Sequence, residues 1–465
     1  MNGKKQFRNS LLNIIWCVAT AALAIAVVFT LAVVLTPSAQ AQTPATSVVW
    51  TEKLLHSFND TDGALPRAGL IFDAAGNLYG TTSEGGAYSW GTVFELTPAG
   101  GGNWTETVLH SFCSPTDCTD GAYPYAGLIF DAAGNLYGTT VGGGTYAYCS
   151  DGYGCGTVFE LTPTAGGGWT EQVLYNFGNG TDGVNPYDGL IFDAAGKLYG
   201  TTPNGGTYGY GTVFELTPTE SGGWTETVLH SFCSQTDCTD GEAPQADLIF
   251  DTLGNLYGST TNGGTYGGGT VFELTPTGGG GWTEKVLHSF CSQTDCTDGE
   301  APQAGLIFDT LGNLYGSTTA GGTYTSNCNY GCGTVFELTP TGGGAWTEQV
   351  LHSFGNGTDG YYPFAGLIFD AAGNLYGTTW AGGTYGWGTV FELTPTGGGW
   401  TETVLHSFND NGTDGILPEA GLIFDAIGNL YGTTPSGGAE GEYGGTVFEL
   451  TPVYPCATCS HAVLQ

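Results

Sequence analysis

The chain has 465 residues, of which 82 are glycine, and 43 acidic side chains face only 7 basic ones, for a formal net charge of −36. Glycine without a period of three excludes collagen, and an ordinary apolar fraction excludes a disordered chain. So negative a surface repels phosphate backbones and anionic headgroups, which excludes nucleic acid and bare membrane as partners.

The first element is an export signal. Lys4, Lys5 and Arg8 form a positive start, an uncharged apolar run extends from Leu11 to Leu35, and Pro37-Ser38-Ala39-Gln40-Ala41 supplies an A-x-A site. Residues 1–41 therefore read as a signal peptide cut after Ala41. The run is long enough to span a bilayer if uncut, so an uncleaved membrane anchor is the alternative. No later stretch is apolar enough to insert. An exported protein follows, whether secreted, periplasmic or at the cell surface.

Residues 48–452 hold seven repeats, a signal that outranks the two or three domains suggested by length. Trp-Thr-Glu recurs from Trp50, Trp104, Trp169, Trp224, Trp282, Trp346 and Trp400. Leu-Tyr-Gly and Thr-Val-Phe-Glu-Leu-Thr-Pro recur as often, beginning at Leu78 and Thr92. In the first full unit Ala68 to Asp73 reads as an inner strand and Ala74 to Asn77 as a tight turn. Leu78 to Thr82 is the second strand, Gly91 to Pro98 the third, and Trp104 to Phe112 the outer fourth. The inner strands are nearly all apolar and the outer one is mixed, as in a blade covered on both faces with its rim in water.

The phase of the repeat predicts a closed ring. The chain opens with an orphan fourth strand, Val49 to Phe58, and ends with a third strand, Gly445 to Pro452, that lacks a successor. Pairing the two completes a seventh blade and removes two sheet edges. The fold class is all-β: a seven-bladed β-propeller of four-stranded blades, expected to be a monomer, followed by a short tail at 453–465. An open solenoid is the competing architecture.

The unit G-L-I-F-D-A-A-G-N-L-Y-G-T-T…G-G…G-T-V-F-E-L-T-P resembles the GloVer (Gloeo/Verruco) tandem repeat of exported bacterial proteins, from about Val48 to Pro452. That family is described as choice-of-anchor. The resemblance implies a surface or secreted propeller-like protein and brings no catalytic residues with it.

Cys17 lies in the apolar run. The other twelve cysteines form six close pairs: Cys113/Cys118, Cys149/Cys155, Cys233/Cys238, Cys291/Cys296, Cys328/Cys332 and Cys456/Cys459. An even count in an exported chain implies disulfides, each local ring contributing roughly 2 kcal/mol, although spacing leaves cross-pairing open. Cys456, Cys459 and His461 are an alternative metal or redox cluster.

Alternating strands put the four-to-one and two-to-three loops on one face, and only that face varies. The four-to-one loops hold 11 residues after Phe112, Phe232 and Phe290, where cysteine pairs occur, and 7 to 9 elsewhere. The two long two-to-three loops, Val141 to Cys155 and Thr319 to Cys332, carry the other internal pairs. Bridged insertions on one face suit a binding surface for glycan or protein.

On that face the aromatic residues outside the repeating pattern are candidate ligand contacts: Trp90, Tyr148, Tyr153, Tyr210, Trp380 and Trp387. Asp60, Asp62, Asp410 and Asp414 form Asp-x-Asp-Gly-like clusters, and calcium is the one cofactor they suggest, although no full ligand series is present. His56, His110, His230, His288, His352 and His406 share a position that Tyr175 fills in the remaining repeat, which marks it as structural. The recurrent Glu95 and Glu106 types read as a solvated rim. Every titratable type recurs around the ring, so no catalytic constellation stands out. The expected function is binding or scaffolding. The alternatives are a polysaccharide-acting enzyme with carboxylates at the central opening, or a structural envelope protein without a small ligand.

Overall fold

The computed structural model describes residues 48–114, 117–146, 149, 154–326, 328–439 and 441–454, the side chain of Glu442 excepted. Residues 1–41, expected to be a signal segment, and Tyr148, Tyr153, Cys456 and Cys459 lie outside the described residues. Among the described residues no helix is long and apolar enough to cross a membrane.

Seven four-stranded antiparallel sheets succeed one another as the blades of a propeller. In the first, Ile71–Phe72, Leu78–Thr82, Thr92–Pro98 and Trp104–Ser111 pair in chain order. The seventh takes Ile423–Phe424, Leu430–Thr434 and Thr446–Val453 from the end of the chain and its outer strand, Val49–Ser57, from the beginning. Trp50 lies opposite Pro452 and Leu54 opposite Phe448, so the ring closes as the repeat phase requires.

The inner strand is shorter than expected. The sequence suggests Ala68 to Asp73, but only Ile71–Phe72 joins the ladder. The preceding residues bond across to the neighbouring blade: Ala68 O accepts from Thr433 Oγ1 at 2.9 Å, and Ala126 O accepts from Thr81 Oγ1 at 2.9 Å. Where seven blades converge, these carbonyls find their donors sideways rather than along a strand.

The apolar side chains are buried between blades. Tyr79, Val93 and Phe112 of the first blade pack on Leu128, Leu136, Phe159 and Leu161 of the second. The same cluster recurs at the closure, where Phe58, Tyr431 and Val447 meet Leu70, Leu78, Phe94 and Leu96. Each blade thus covers an apolar face that it cannot cover alone, and stability depends on neighbours. Gly80 permits this packing: a Cβ there would sit 2.7 Å from Phe94 Cζ.

The rim differs from expectation. Tyr79 Oη donates to Glu95 Oε1 at 2.8 Å, and the equivalent pair recurs around the ring. Glu106 and its six counterparts are turned against the neighbouring blade, and each Oε1 is buried without a hydrogen-bond partner. They are not a solvated edge.

Candidate functional site

The loop face is fastened at its base by the Asp-Gly aspartates. Asp240 accepts from Ser234 N at 2.9 Å and Ser234 Oγ at 2.7 Å, with His230 Nε2 at 3.2 Å. In five other blades a histidine likewise meets its aspartate at 3.2 to 3.7 Å. In the remaining blade Tyr175 Oη donates to Asp182 at 2.7 Å, which explains why tyrosine substitutes for histidine. Burial pushes the His230 and His288 pKa values down, the aspartates only partly opposing it. Asp62 and Asp120 resist burial, and histidine and N–H donors hold them below the usual carboxylate range.

Two of the calcium candidates belong to this fastening. Asp62 accepts from Asn59 N and Asn59 Nδ2, both at 2.9 Å, and Asp414 accepts from Asn409 N at 3.0 Å. Asp60 and Asp410 are exposed beside them.

Five disulfides join the expected local pairs: Cys113–Cys118, Cys149–Cys155, Cys233–Cys238, Cys291–Cys296 and Cys328–Cys332. They stiffen the insertions of this face.

The aromatic candidates separate. Trp90, Tyr210 and Trp387 occupy one equivalent position, each bridged to the glycine that starts its loop. The backbone carbonyl of each accepts from the next loop, through Tyr123 N, Ala243 N and Leu417 N at 2.8 to 2.9 Å. They therefore repeat in phase, spread around the ring, and do not converge. Trp380 lines a cavity, with Phe364 and Tyr362 each 6.3 Å away between ring centroids.

What the structure does bring together is a collar that the sequence reading missed. In every repeat the four-to-one loop ends in proline, and the next residue rims the central channel. Those residues are Arg67, Tyr125, Tyr187, Gln245, Gln303, Phe364 and Glu419, enclosing about 290 Å³ together with Asp188. The blade strands are near copies, yet five side-chain types fill these seven positions. The fixed φ of the preceding proline sets the direction of approach to the axis. Arg67 Nη1 donates to Glu419 Oε2 at 2.5 Å and lies 5.3 Å over the Tyr125 ring. Burial disfavours the Arg67 charge, but Glu419 more than offsets this and raises its pKa. Tyr125 and Tyr187 meet edge to face at 5.4 Å.

Below the collar the channel is lined by Gly-Leu-Ile from the blades, with a volume of about 400 Å³. Two carboxylates break this pattern. Asp188 stands where the other blades have alanine, and Asp247 where they have glycine. Gly189 N donates to Asp247 Oδ1 at 2.7 Å, and Thr201 Oγ1 donates weakly to Asp188 Oδ2 at 3.4 Å. The Asp247 side chain is exposed to the lumen, and the inner strands of the seven blades surround that lumen. Burial, and then the neighbouring Asp247, drive the Asp188 pKa well up; burial raises Asp247 against the pull of the Gly189 N–H. The chemistry available is a polar, aromatic-walled mouth over a floor that carries two carboxyl groups.

No curated protein matches the sequence. Among solved structures, a candidate 6-phosphogluconolactonase from Bacteroides uniformis ATCC 8492 is 13% identical, with TM-score 0.46, over 79% of this chain and 89% of that one. A candidate oxidoreductase (glucose dehydrogenase) from Thermus thermophilus is 16% identical, with TM-score 0.38, over 70% of this chain and 96% of that one. The family model of the Gloeobacter/Verrucomicrobia repeat matches residues 43–150, 146–327 and 322–462. With the repeat matched over nearly all of the propeller, the chain belongs to the Gloeobacter/Verrucomicrobia repeat family.

Proposed function

We propose that this is an exported binding propeller that takes a glycan at the collar on its disulfide-bearing face. The observation that carries the reading is the collar itself. Between the constant loop proline and the constant Leu-Ile-Phe-Asp that follows, five side-chain types fill the seven positions where all blades meet. Tyr125, Tyr187 and Phe364 offer faces for sugar rings, and Gln245, Gln303, Arg67 and Glu419 offer donors and acceptors for hydroxyls. Five disulfides in the loops support export, as does the signal segment with its site after Ala41; retention as an anchor is the variant of that reading. The propeller acts as a monomer.

A glycan-array screen of the exported protein, with and without calcium, tests the proposal. Binding that is lost in Arg67→Ala and Phe364→Ala supports it. Binding that appears only with calcium moves the site to the Asp60–Asp62 and Asp410–Asp414 loops. No binding on any array leaves the structural envelope role.

One observation favours a second reading, in which the propeller cleaves a polysaccharide. Asp188 and Asp247 stand in one lumen, Asp188 raised by burial and by Asp247, and a pair of carboxyl groups whose environments separate their proton affinities is what hydrolysis of a glycosidic bond employs. New reducing ends formed by the wild type but not by Asp188→Asn or Asp247→Asn would establish it.

A further inference from the structure

The collar does not stand alone. Two grooves open from it, three blades apart in the ring of seven, as nearly opposite as seven-fold geometry allows. One, of about 450 Å³, runs past Phe364, Tyr362 and Trp380 to Tyr330. The other, of about 360 Å³, runs past Tyr125 and Tyr187 to Tyr123 and Val141. The first shares Gln303, Phe364 and Glu419 with the collar, and the second shares Tyr125 and Tyr187.

The outer wall of each groove is one of the two long two-to-three loops. Thr319, Ala320, Tyr330 and Gly331 wall the first, and Val141, Gly142 and Gly154 the second. Each loop carries a disulfide, and the second cysteine of each pins the following blade. Cys332 O accepts from Tyr362 N at 2.9 Å, and Cys155 O accepts from Asn185 N at 2.8 Å. Tyr362 and Asn185 are themselves groove residues. The same device is thus built twice, on opposite sides of one mouth.

We infer that the two grooves and the collar form a single trough across the face, and that its occupant is an unbranched, uncharged glycan bound mid-chain. This rests on the glycan reading above. A trough open at both ends admits a chain that continues in both directions, which a single blind pocket does not. Tyrosine, phenylalanine and tryptophan faces recur along its length, and such faces stack on sugar rings of any linkage. Charge selects the class: Glu84 and Asp247 line the path, the Arg67 charge beside it is taken up by Glu419, and the formal net charge is −36, so a uronate or sulfated chain is repelled. Each groove, of about 450 and about 360 Å³, already falls within the range of roughly 300–1,000 Å³ that small-ligand sites occupy, and the collar joins the two end to end.

The test is calorimetric titration of the exported protein with cello-, xylo-, manno- and N-acetylchito-oligosaccharides, each from disaccharide to octasaccharide. In the series that binds, affinity is expected to climb by about tenfold or more with length and then level off. Tyr330→Ala and Tyr123→Ala, at opposite ends of the trough, should each lower hexasaccharide affinity by about tenfold and flatten the climb. Tyr330 is 78% exposed, so its removal spares the fold. Tyr123→Phe keeps the ring and should retain the climb. A disaccharide that binds as tightly as the octasaccharide, or a loss confined to one end, overturns the trough and leaves the collar reading standing. Tighter binding of alginate or heparin than of neutral chains overturns the charge argument. Binding confined to peptides, or none at all, removes the glycan reading and the trough together.

Discussion

The seven glutamates between blades make stability depend on pH in a direction that can be worked out. Glu52, Glu106, Glu171, Glu226, Glu284, Glu348 and Glu402 each have pKa raised from 4.5 to about 7, in every case first by burial. Facing Glu106, the Asp62 charge raises it further and His56 opposes; facing Glu52, Asp414 raises and His406 opposes. The folded pKa lies above the unfolded one, so the native state binds protons more tightly. Stability from these groups is fully present below 4.5 and is lost as pH rises through about 7. A tenfold change in proton affinity is worth about 1.4 kcal/mol, so the rise from 4.5 to about 7 amounts to roughly 3 kcal/mol per glutamate. These side chains keep partial contact with water, and halving for that leaves about 1–2 kcal/mol each. The His230 and His288 pKa values run the other way: lowered from 6.5, they cost stability as pH falls through 6.5, but two histidines oppose seven glutamates. Asp62 and Asp120, lowered from 3.8, act only below the window. Urea unfolding at about pH 8, 7, 6 and 5 should therefore show stability increasing toward acid. Glu106→Gln, neutral at every pH, should gain about 1–2 kcal/mol at pH 8 and show no gain at about pH 5. Stability that is flat or falls from about pH 8 to 5, or a glutamine variant without gain at the alkaline end, refutes the reasoning.

Three further outcomes follow from the packing. Deleting Val49–Ser57 leaves Thr446–Val453 without its outer partner and uncovers Phe58's cluster, so the truncated chain should aggregate or melt far lower by circular dichroism. Replacing Cys328 and Cys332 together by serine should lower stability by roughly 2 kcal/mol in denaturant unfolding, and should weaken ligand binding through the groove that this bridge shapes. Gly80→Ala forces a methyl against Phe94 and should cost about 1–3 kcal/mol, an effect that Phe94→Leu partly relieves in a double-mutant cycle.

The architecture was legible because its cause is local and repeated. Seven returns of Leu-Tyr-Gly and Thr-Val-Phe-Glu-Leu-Thr-Pro mark the strands, and the orphan segment at Trp50 marks the closure. The disulfides were legible because every insertion carried its own cysteine pair. The collar was not, since Arg67 and Glu419 are far apart in sequence and become neighbours only once the ring closes. A signal did exist: the residue after each loop proline varies, although the proline is constant and alanine follows in six of the seven repeats. Trp90, Tyr210 and Trp387 share one position in loops of equal length, immediately before the glycine that opens the third strand, so their common phase was itself legible in the sequence. Glu106 misled because a polar residue on an outer strand reads as solvated, and sequence does not reveal the blade that covers it. Asp188 and Asp247 hid as single exceptions among alanines and glycines whose role is to let seven chains approach one axis.

Closure also sets a timetable for making the molecule. Lys53 and Glu449 pair across 396 positions, so the first strand to leave the ribosome or cross a membrane finds its partner only after the last repeat has followed. Until then six blades can assemble around an incomplete seventh, with an unpaired edge at each end of the growing arc. Such an intermediate calls for either a chain held unfolded until export is complete or a chaperone that guards the waiting strand.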